Sequence, residues 1–326
     1  MKIIRGAFDL ERKDITIDRL IDQFLEYNRT NNRESTTRRY RAVTDHFQRF
    51  LNDHCPDIKL VSQLTANLVE RYKLYRKEMW VHPNGYPVLS EEAISDKTRK
   101  GARARTINLE VDGIKAMLNC VVRLGYIRDH PLRGIKPLKE DDRKPVRFLT
   151  ADECKQFLNA TPAELYPIFF TLLNTGMRKA EIENLRWCDV DFDRRIIHIR
   201  GRDDWKPKAG DREIPIGDTL SKVFNTLGQP GRDAEEEYYV FGLKGSGHSH
   251  NRLRRELIKI AKKAGIENLT KVHTLRHTFA SQLLMNGVDL ATVNKLMGHS
   301  DIKTTMIYAS FEKRHLADAI NKLPFD

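Results

Sequence analysis

The chain has 326 residues, with 57 Lys and Arg against 45 Asp and Glu, for a formal charge of +12. At 40% hydrophobic and 31% charged residues it is too apolar for a disordered chain, and no apolar run approaches the ~18 residues of a membrane span. The length predicts about two domains, and the positive excess predicts a polyanionic partner, most simply nucleic acid.

The first half reads as helices. Ile17, Leu20, Ile21, Phe24 and Leu25 recur at helical spacing, and a second stripe of Tyr40, Val43, Phe47 and Phe50 follows Ser35 as its expected N-cap. Leu68, Tyr72, Tyr75 and Met79 mark a third helix after Thr65, and the turn-rich residues 82–87 interrupt the pattern. Ile107, Val111, Ile114, Leu118 and Val121 make a fourth stripe with Gly125 as its expected C-cap. Four such stripes predict a small helical bundle over 14–134. Arg38, Arg39 and Arg41 lie between apolar positions of the second stripe, and Arg99, Lys100 and Arg103 precede the fourth. These six cations are candidate phosphate contacts.

Residues 135–148, rich in proline and charge, read as a linker, and the second domain spans 149–326. It opens on a capping box, Thr150-x-x-Glu153, followed by a helix through Phe157 and an apolar helix around 166–173. Residues 195–200 and 212–216 flank a turn with Pro207 and Gly210, which predicts a β-hairpin with Pro215 at an edge or strand end. A helix carrying Arg252, Arg254 and Arg255 opposite Leu253, Leu257 and Ile260 presents a further cationic face to a polyanion. Cys55, Cys120, Cys154 and Cys188 form no CxxC pair, and the N-terminus lacks the apolar run of a signal peptide. Both features fit a reducing cytoplasm better than a disulfide framework or a zinc site.

Polar groups concentrate in three places. In Thr175-Gly176-Met177-Arg178 the glycine ends one helix and Arg178 opens the next, where free N–H groups and a planar guanidinium suit an anion. In His273-Thr274-Leu275-Arg276, His273 and Arg276 at i and i+3 share a face distinct from the expected core stripe Leu275, Phe279 and Leu283. In the third, Gly298 ends a short helix carrying Leu290, Val293 and Met297, His299 lies in the turn, and Tyr308 follows nine residues later.

The segments TGMRKAEIENLRW, HTLRHTFASQLL and LMGHSDIKTTMIY, in that order, resemble the tyrosine recombinase (phage integrase) family. The resemblance covers the whole second domain, and the helical first domain resembles the family's SAM-like core-binding domain. It implies a mainly α chain with a small β-hairpin or sheet: a helical DNA-binding domain and an α+β catalytic domain ending in an exchange helix. By resemblance, Arg178 and Arg276 bind the phosphate, His273 transfers a proton, His299 hydrogen-bonds the phosphate and Tyr308 is the nucleophile. A hairpin lysine completes the set. The family spacing favours Lys206, and Lys208 remains open.

The implied chemistry is cutting and rejoining of duplex DNA sites through a 3′-phosphotyrosine, with strand exchange via a Holliday junction. It requires no metal, cofactor or ATP. The implied partners are duplex DNA and further copies of the chain, joined into a tetramer by the tail stripe Leu316, Ile320 and Leu323. Only about a dozen residues precede the first predicted helix, which points to a two-domain, Xer-like member without a separate arm-binding domain. A type IB topoisomerase-like nicking-closing enzyme and a catalytically inactive DNA-binding relative are the alternative readings.

Overall fold

The computed structural model describes residues 14–83, 85–124, 127, 132–141, 146–228, 238–243, 251–299 and 305–308. The chain divides into two units, Met1–Lys144 and Pro145–Asp326. Gly125 and the tail stripe from Leu316 lie outside the described residues.

The first unit contains helices α1 (Ile17–Asn31), α2 (Glu34–His54), α3 (Ala66–Glu78) and α4 (Ala104–Arg123). The apolar stripes of the four helices face one another. Leu20, Phe47, Tyr72, Ile107, Leu118 and Val121 are fully buried in one core. Thr16 and Thr65 accept from the backbone three residues on and so cap α1 and α3. Ser35, expected as an N-cap, lies inside the first turn of α2, which begins one residue earlier. Glu34 there complements the positive helix end, and Thr37 Oγ1 donates to the Asn28 carbonyl at 2.9 Å, fixing the α1–α2 junction.

Two features of this unit were not expected. Strands β1 (Trp80–Val81) and β2 (Arg99–Lys100) pair antiparallel, so the turn-rich stretch is the tip of a short arm. Under it, Arg76 is wholly buried and bonds Glu110 through Nε at 2.8 Å and Nη2 at 2.7 Å, while Nη2 also donates to the Gly85 carbonyl. Tyr72 Oη donates to the same carboxylate. A buried charge survives here because each partner is satisfied. The start of the predicted linker is docked on this unit: Asn108 exchanges two hydrogen bonds with the Leu138 backbone, and Ile135 is buried.

The second unit begins with α5 (Ala151–Ala160), α6 (Tyr166–Thr175) and the short α7 (Lys179–Glu183). Thr150 and Glu153 form the reciprocal capping box read from the sequence. Strands β3 (Val190–Asp191), β4 (Ile196–Ile199) and β5 (Arg212–Pro215) form an antiparallel sheet in the order β3-β4-β5. The expected hairpin is thus two strands of three, and Pro215 ends a strand paired on one side only, where its missing N–H costs nothing.

Helices α8 (Asp218–Thr226), α9 (Arg252–Lys263), α10 (His273–Met285) and α11 (Leu290–Met297) follow. On α10 the deeply buried apolar residues are Leu275, Ala280 and Leu284, whereas Phe279 and Leu283 are half-buried. The helix also buries the polar Thr274, Thr278 and Ser281 and, at 1% exposure, Arg276 itself. The helix is therefore covered on its polar side too. Among the described residues no helix is long and apolar enough to cross a membrane.

Candidate active site

Two helix ends build the floor of the site. Gly176 caps α6 and Gly298 caps α11, both in the left-handed conformation (φ 60° and 61°). A Cβ on Gly176 would strike the Phe279 ring, and one on Gly298 would lie 2.6 Å from Arg212 Cδ. Only glycine fits both the backbone angle and the space.

The carbonyls exposed at these two ends receive arginines. Arg276 donates through Nη1 to the Gly176 carbonyl at 2.6 Å and through Nη2 to the Met297 carbonyl. Arg178 Nη2 donates to the Gly298 carbonyl at 3.4 Å, and Arg212 Nε to the Leu296 carbonyl at 3.1 Å. The negative ends of α6 and α11 therefore stabilise guanidiniums taken out of water.

One carboxylate serves the cluster. Glu181, one turn into α7, bonds Arg178 Nη1 at 2.9 Å and both Nη atoms of Arg212 at 3.0 and 2.7 Å. Burial pushes the Glu181 carboxyl up, but the bonds and charges of Arg212 and Arg178 outweigh it and hold the pKa down at about 2. Three guanidiniums against one carboxylate leave a net charge of +2. Among the described residues Arg276 touches no carboxylate, and its buried Nε has no hydrogen-bond partner. Burial first, then the neighbouring Arg178 and Arg212, push its pKa down to about 9, so it stays cationic at neutral pH. The arrangement is a preorganised receptor for an oxyanion.

Three histidines and a phenol border these cations. His273, the first residue of α10, is exposed, and its ring meets that of His277 edge-on at 4.7 Å between centroids. His299 is half-buried and bonds Thr305 Oγ1 through Nδ1 at 2.8 Å. Tyr308 is 1% exposed, and its hydroxyl is hydrogen-bonded to His277 Nδ1. Partial loss of water, felt by His273 through the packed side of its ring although the residue is exposed, and then nearby positive charge push all three imidazoles down to about 4. Burial raises the Tyr308 phenol to about 12 against the opposing pull of Arg276. The histidines are therefore neutral and the phenol protonated in this structure at neutral pH.

The structure thus brings Arg178, Arg276, His273, His299 and Tyr308 into one neighbourhood linked by bonds and charge. Lys206 and Lys208 are exposed in the β4–β5 connection, and among the described residues neither bonds to the cluster. Of the candidate DNA contacts, Arg38, Arg39 and Arg41 are on α2, Arg99 and Lys100 form β2, and Arg103 is the N-cap of α4. Arg38 and Arg39 line a cleft of about 460 Å³ with Tyr86 and Leu109. Arg252, Arg254 and Arg255 sit on α9, whose Leu253, Leu257 and Ile260 are buried, and Arg254 Nε donates to the Thr270 carbonyl.

Sequence reasoning passed over Glu181, Arg212, His277, Asn294 and Thr305. Glu181 carried a signal, since an acid three residues into a helix that opens on arginine reads as a capping partner. Arg212 served in the sequence only as a landmark for placing Lys206, and its own role was not legible because its partners lie 31 and 84 residues away in the chain.

A family model described as the phage integrase family matches residues 147–315, and one described as the phage integrase SAM-like domain matches residues 18–137. Tyrosine recombinase XerC of Thermodesulfovibrio yellowstonii is 26% identical over 294 residues, covering 84% of this chain and 96% of that protein. Tyrosine recombinase XerC of Corynebacterium glutamicum is 34% identical over 231 residues, covering 68% of this chain and 73% of the other. Among solved structures, the Tn1549 transposon integrase in complex with a circular intermediate DNA aligns with a TM-score of 0.67 at 20% identity, covering 94% of this chain and 99% of that one. A lambda integrase tetramer bound to a Holliday junction aligns at 0.64 and 15% identity, covering 91% and 78%.

Proposed function

The chain belongs to the phage integrase family and is a tyrosine recombinase, and from that premise we propose that it cuts and rejoins specific duplex DNA sites through a 3′-phosphotyrosine intermediate. The observation that carries this reading is the buried Arg276, a cation with no bonded carboxylate, set beside Arg178 and Arg212 with a phenol in the same neighbourhood. Such a cation is costly unless an anion completes it, and a phosphodiester supplies that anion.

In the proposed step Tyr308 passes its phenol proton to His273 as its oxygen attacks phosphorus, the bond to the 5′-oxygen breaks, and that oxygen takes a proton from the hairpin lysine to leave as a hydroxyl. Negative charge grows on the non-bridging oxygens, where Arg178 and Arg276 stabilise it more than in the ground state. His273 serves the proton transfers and His299 hydrogen-bonds the phosphate. Lys206 is assigned as the leaving-group acid, with Lys208 as the alternative. The phosphotyrosine conserves the bond energy, so a second 5′-hydroxyl reverses the step without ATP, and the arginines supply the positive charge a metal supplies in other nucleases.

The solved relatives were captured with a transposon circular intermediate and as a tetramer on a Holliday junction. We extend both to this chain: its partners are duplex DNA, bound in part through Arg38, Arg39, Arg41, Arg99, Lys100, Arg103, Arg252, Arg254 and Arg255, and further copies of itself. A nicked suicide duplex tests the chemistry. Wild type gives a covalent protein–DNA adduct and Tyr308→Phe gives none. Equal adduct from both would overturn the assignment, and an adduct that never yields recombinant product would favour nicking and closing.

A further inference from the structure

The hydrogen bonds around His299 leave no choice of protonation pattern. The His299 carbonyl oxygen can only accept, so the Asn294 side chain facing it at 3.2 Å must present its Nδ2. Asn294 Oδ1 then faces Thr305 at 2.6 Å, and as an acceptor it takes the one hydroxyl proton Thr305 has. Thr305 Oγ1 has nothing left to donate, so it accepts at 2.8 Å from His299 Nδ1. Nδ1 therefore carries the hydrogen. Thr305 is fully buried, so water does not compete for these bonds. A backbone carbonyl can only accept, so it fixes the orientation of the Asn294 amide.

We propose that Asn294 and Thr305 are positioning residues that hold neutral His299 with its hydrogen on Nδ1, so that His299 binds a backbone phosphate only by taking up a proton at Nε2. The proposal rests on reading the arginine cluster as a phosphodiester pocket. A neutral ring in this form offers a lone pair at Nε2, and phosphate oxygens offer only lone pairs, so the two repel. A proton from solution on Nε2 converts the contact into a charge-assisted N–H···O bond. The only bond formed is that Nε2–H, its proton coming from solution, and Tyr308 keeps its own proton at this stage.

The groups acting on the His299 ring are Arg276 on α10, Arg178 at the N-cap of α7, His273 on α10 and Arg212 on β5. With burial they keep the ring neutral in the free protein, at about 4. An anion among the arginines cancels part of their field, so the liganded ring titrates higher. The gain in anion binding is then complete only below the free pKa of about 4, diminishes above it, and is lost as pH rises through the higher liganded pKa.

Sulfate is a suitable probe, because it is a tetrahedral anion that accepts hydrogen bonds and does not titrate near neutrality. Long-range ¹H–¹⁵N spectra of the histidine-labelled full chain should show His299 as the Nδ1–H form. Thr305→Val should shift it to the Nε2–H form that free imidazole prefers, and Thr305→Ser should restore the wild-type pattern. Saturating sulfate should raise the pKa of His299 in wild type. An Nε2–H form in wild type, or a His299 titration unmoved by sulfate, overturns the proposal. Adduct formation by wild type and not by Tyr308→Phe would leave the recombinase reading standing in either case. In that adduct assay Thr305→Val should be about 10-fold slower, as for loss of a group that orients a site imidazole, with rescue by Thr305→Ser.

Discussion

Arg276 has given up water for two backbone carbonyls, and its charge is shared with no carboxylate. Replacing it with alanine should leave binding to duplex DNA nearly intact while slowing adduct formation by ~100-fold or more, as does loss of an oxyanion donor elsewhere. Arg178→Ala should do the same, read in single-turnover cleavage of a nicked duplex. The imidazoles make an independent prediction. His273, His277 and His299 titrate at about 4 in the folded protein against an ordinary 6.5. The unfolded chain thus binds more protons between these values, so stability is complete above pH 6.5 and is lost as pH falls toward 4. Thermal melts across that window should show the fall, and His277→Phe should flatten it. The residue types and spacing of Arg178, Arg276 and Tyr308 were legible in the sequence. That Arg276 is a core residue was not, because a guanidinium is buried only where distant carbonyls meet it, and those belong to Gly176 and Met297.

The elements doing the meeting are the C-terminal ends of α6 and α11. Their glycine caps are the positions where the chain tolerates least change. Gly298→Ala places a non-glycine residue at φ 61° and a methyl against Arg212 Cδ. It should destabilise the unit by about 1–3 kcal/mol by thermal or urea unfolding. It should also slow cleavage, since Arg212 is displaced from Glu181. The helices themselves were readable from apolar spacing, and the capping box of α5 from Thr150 and Glu153. The β1–β2 arm and the third strand β3 were not. Each is two residues long, too short for alternation to register, and each exists because a partner strand is brought to it from elsewhere.

At the scale of the whole molecule, the two units carry different parts of the proposed task. The second contains the cationic pocket, and the first contributes the α2 arginines beside the Tyr86 cleft. Alanine at Arg38, Arg39 or Arg41 should weaken duplex binding across sequences and reduce the slope of log affinity against log salt by about 1 for each phosphate left without its cation. The rate of the chemical step at saturating DNA should not change. The two-part organisation was visible in composition, but the docking of Leu138 on Asn108 was not, because charged, proline-rich text gives no sign of which backbone groups will be held. Tyr308 belongs to a small apolar cluster with Ala280, Leu284, Val293 and Met297, apart from the main core of its unit. Those four sit on α10 and α11, while the tyrosine comes from the chain beyond them. Withdrawal of the tyrosine should therefore leave both helices assembled. A reagent that nitrates accessible phenols should mark this side chain in solutions whose circular dichroism is wholly native, at a rate set by sub-global opening rather than by denaturation.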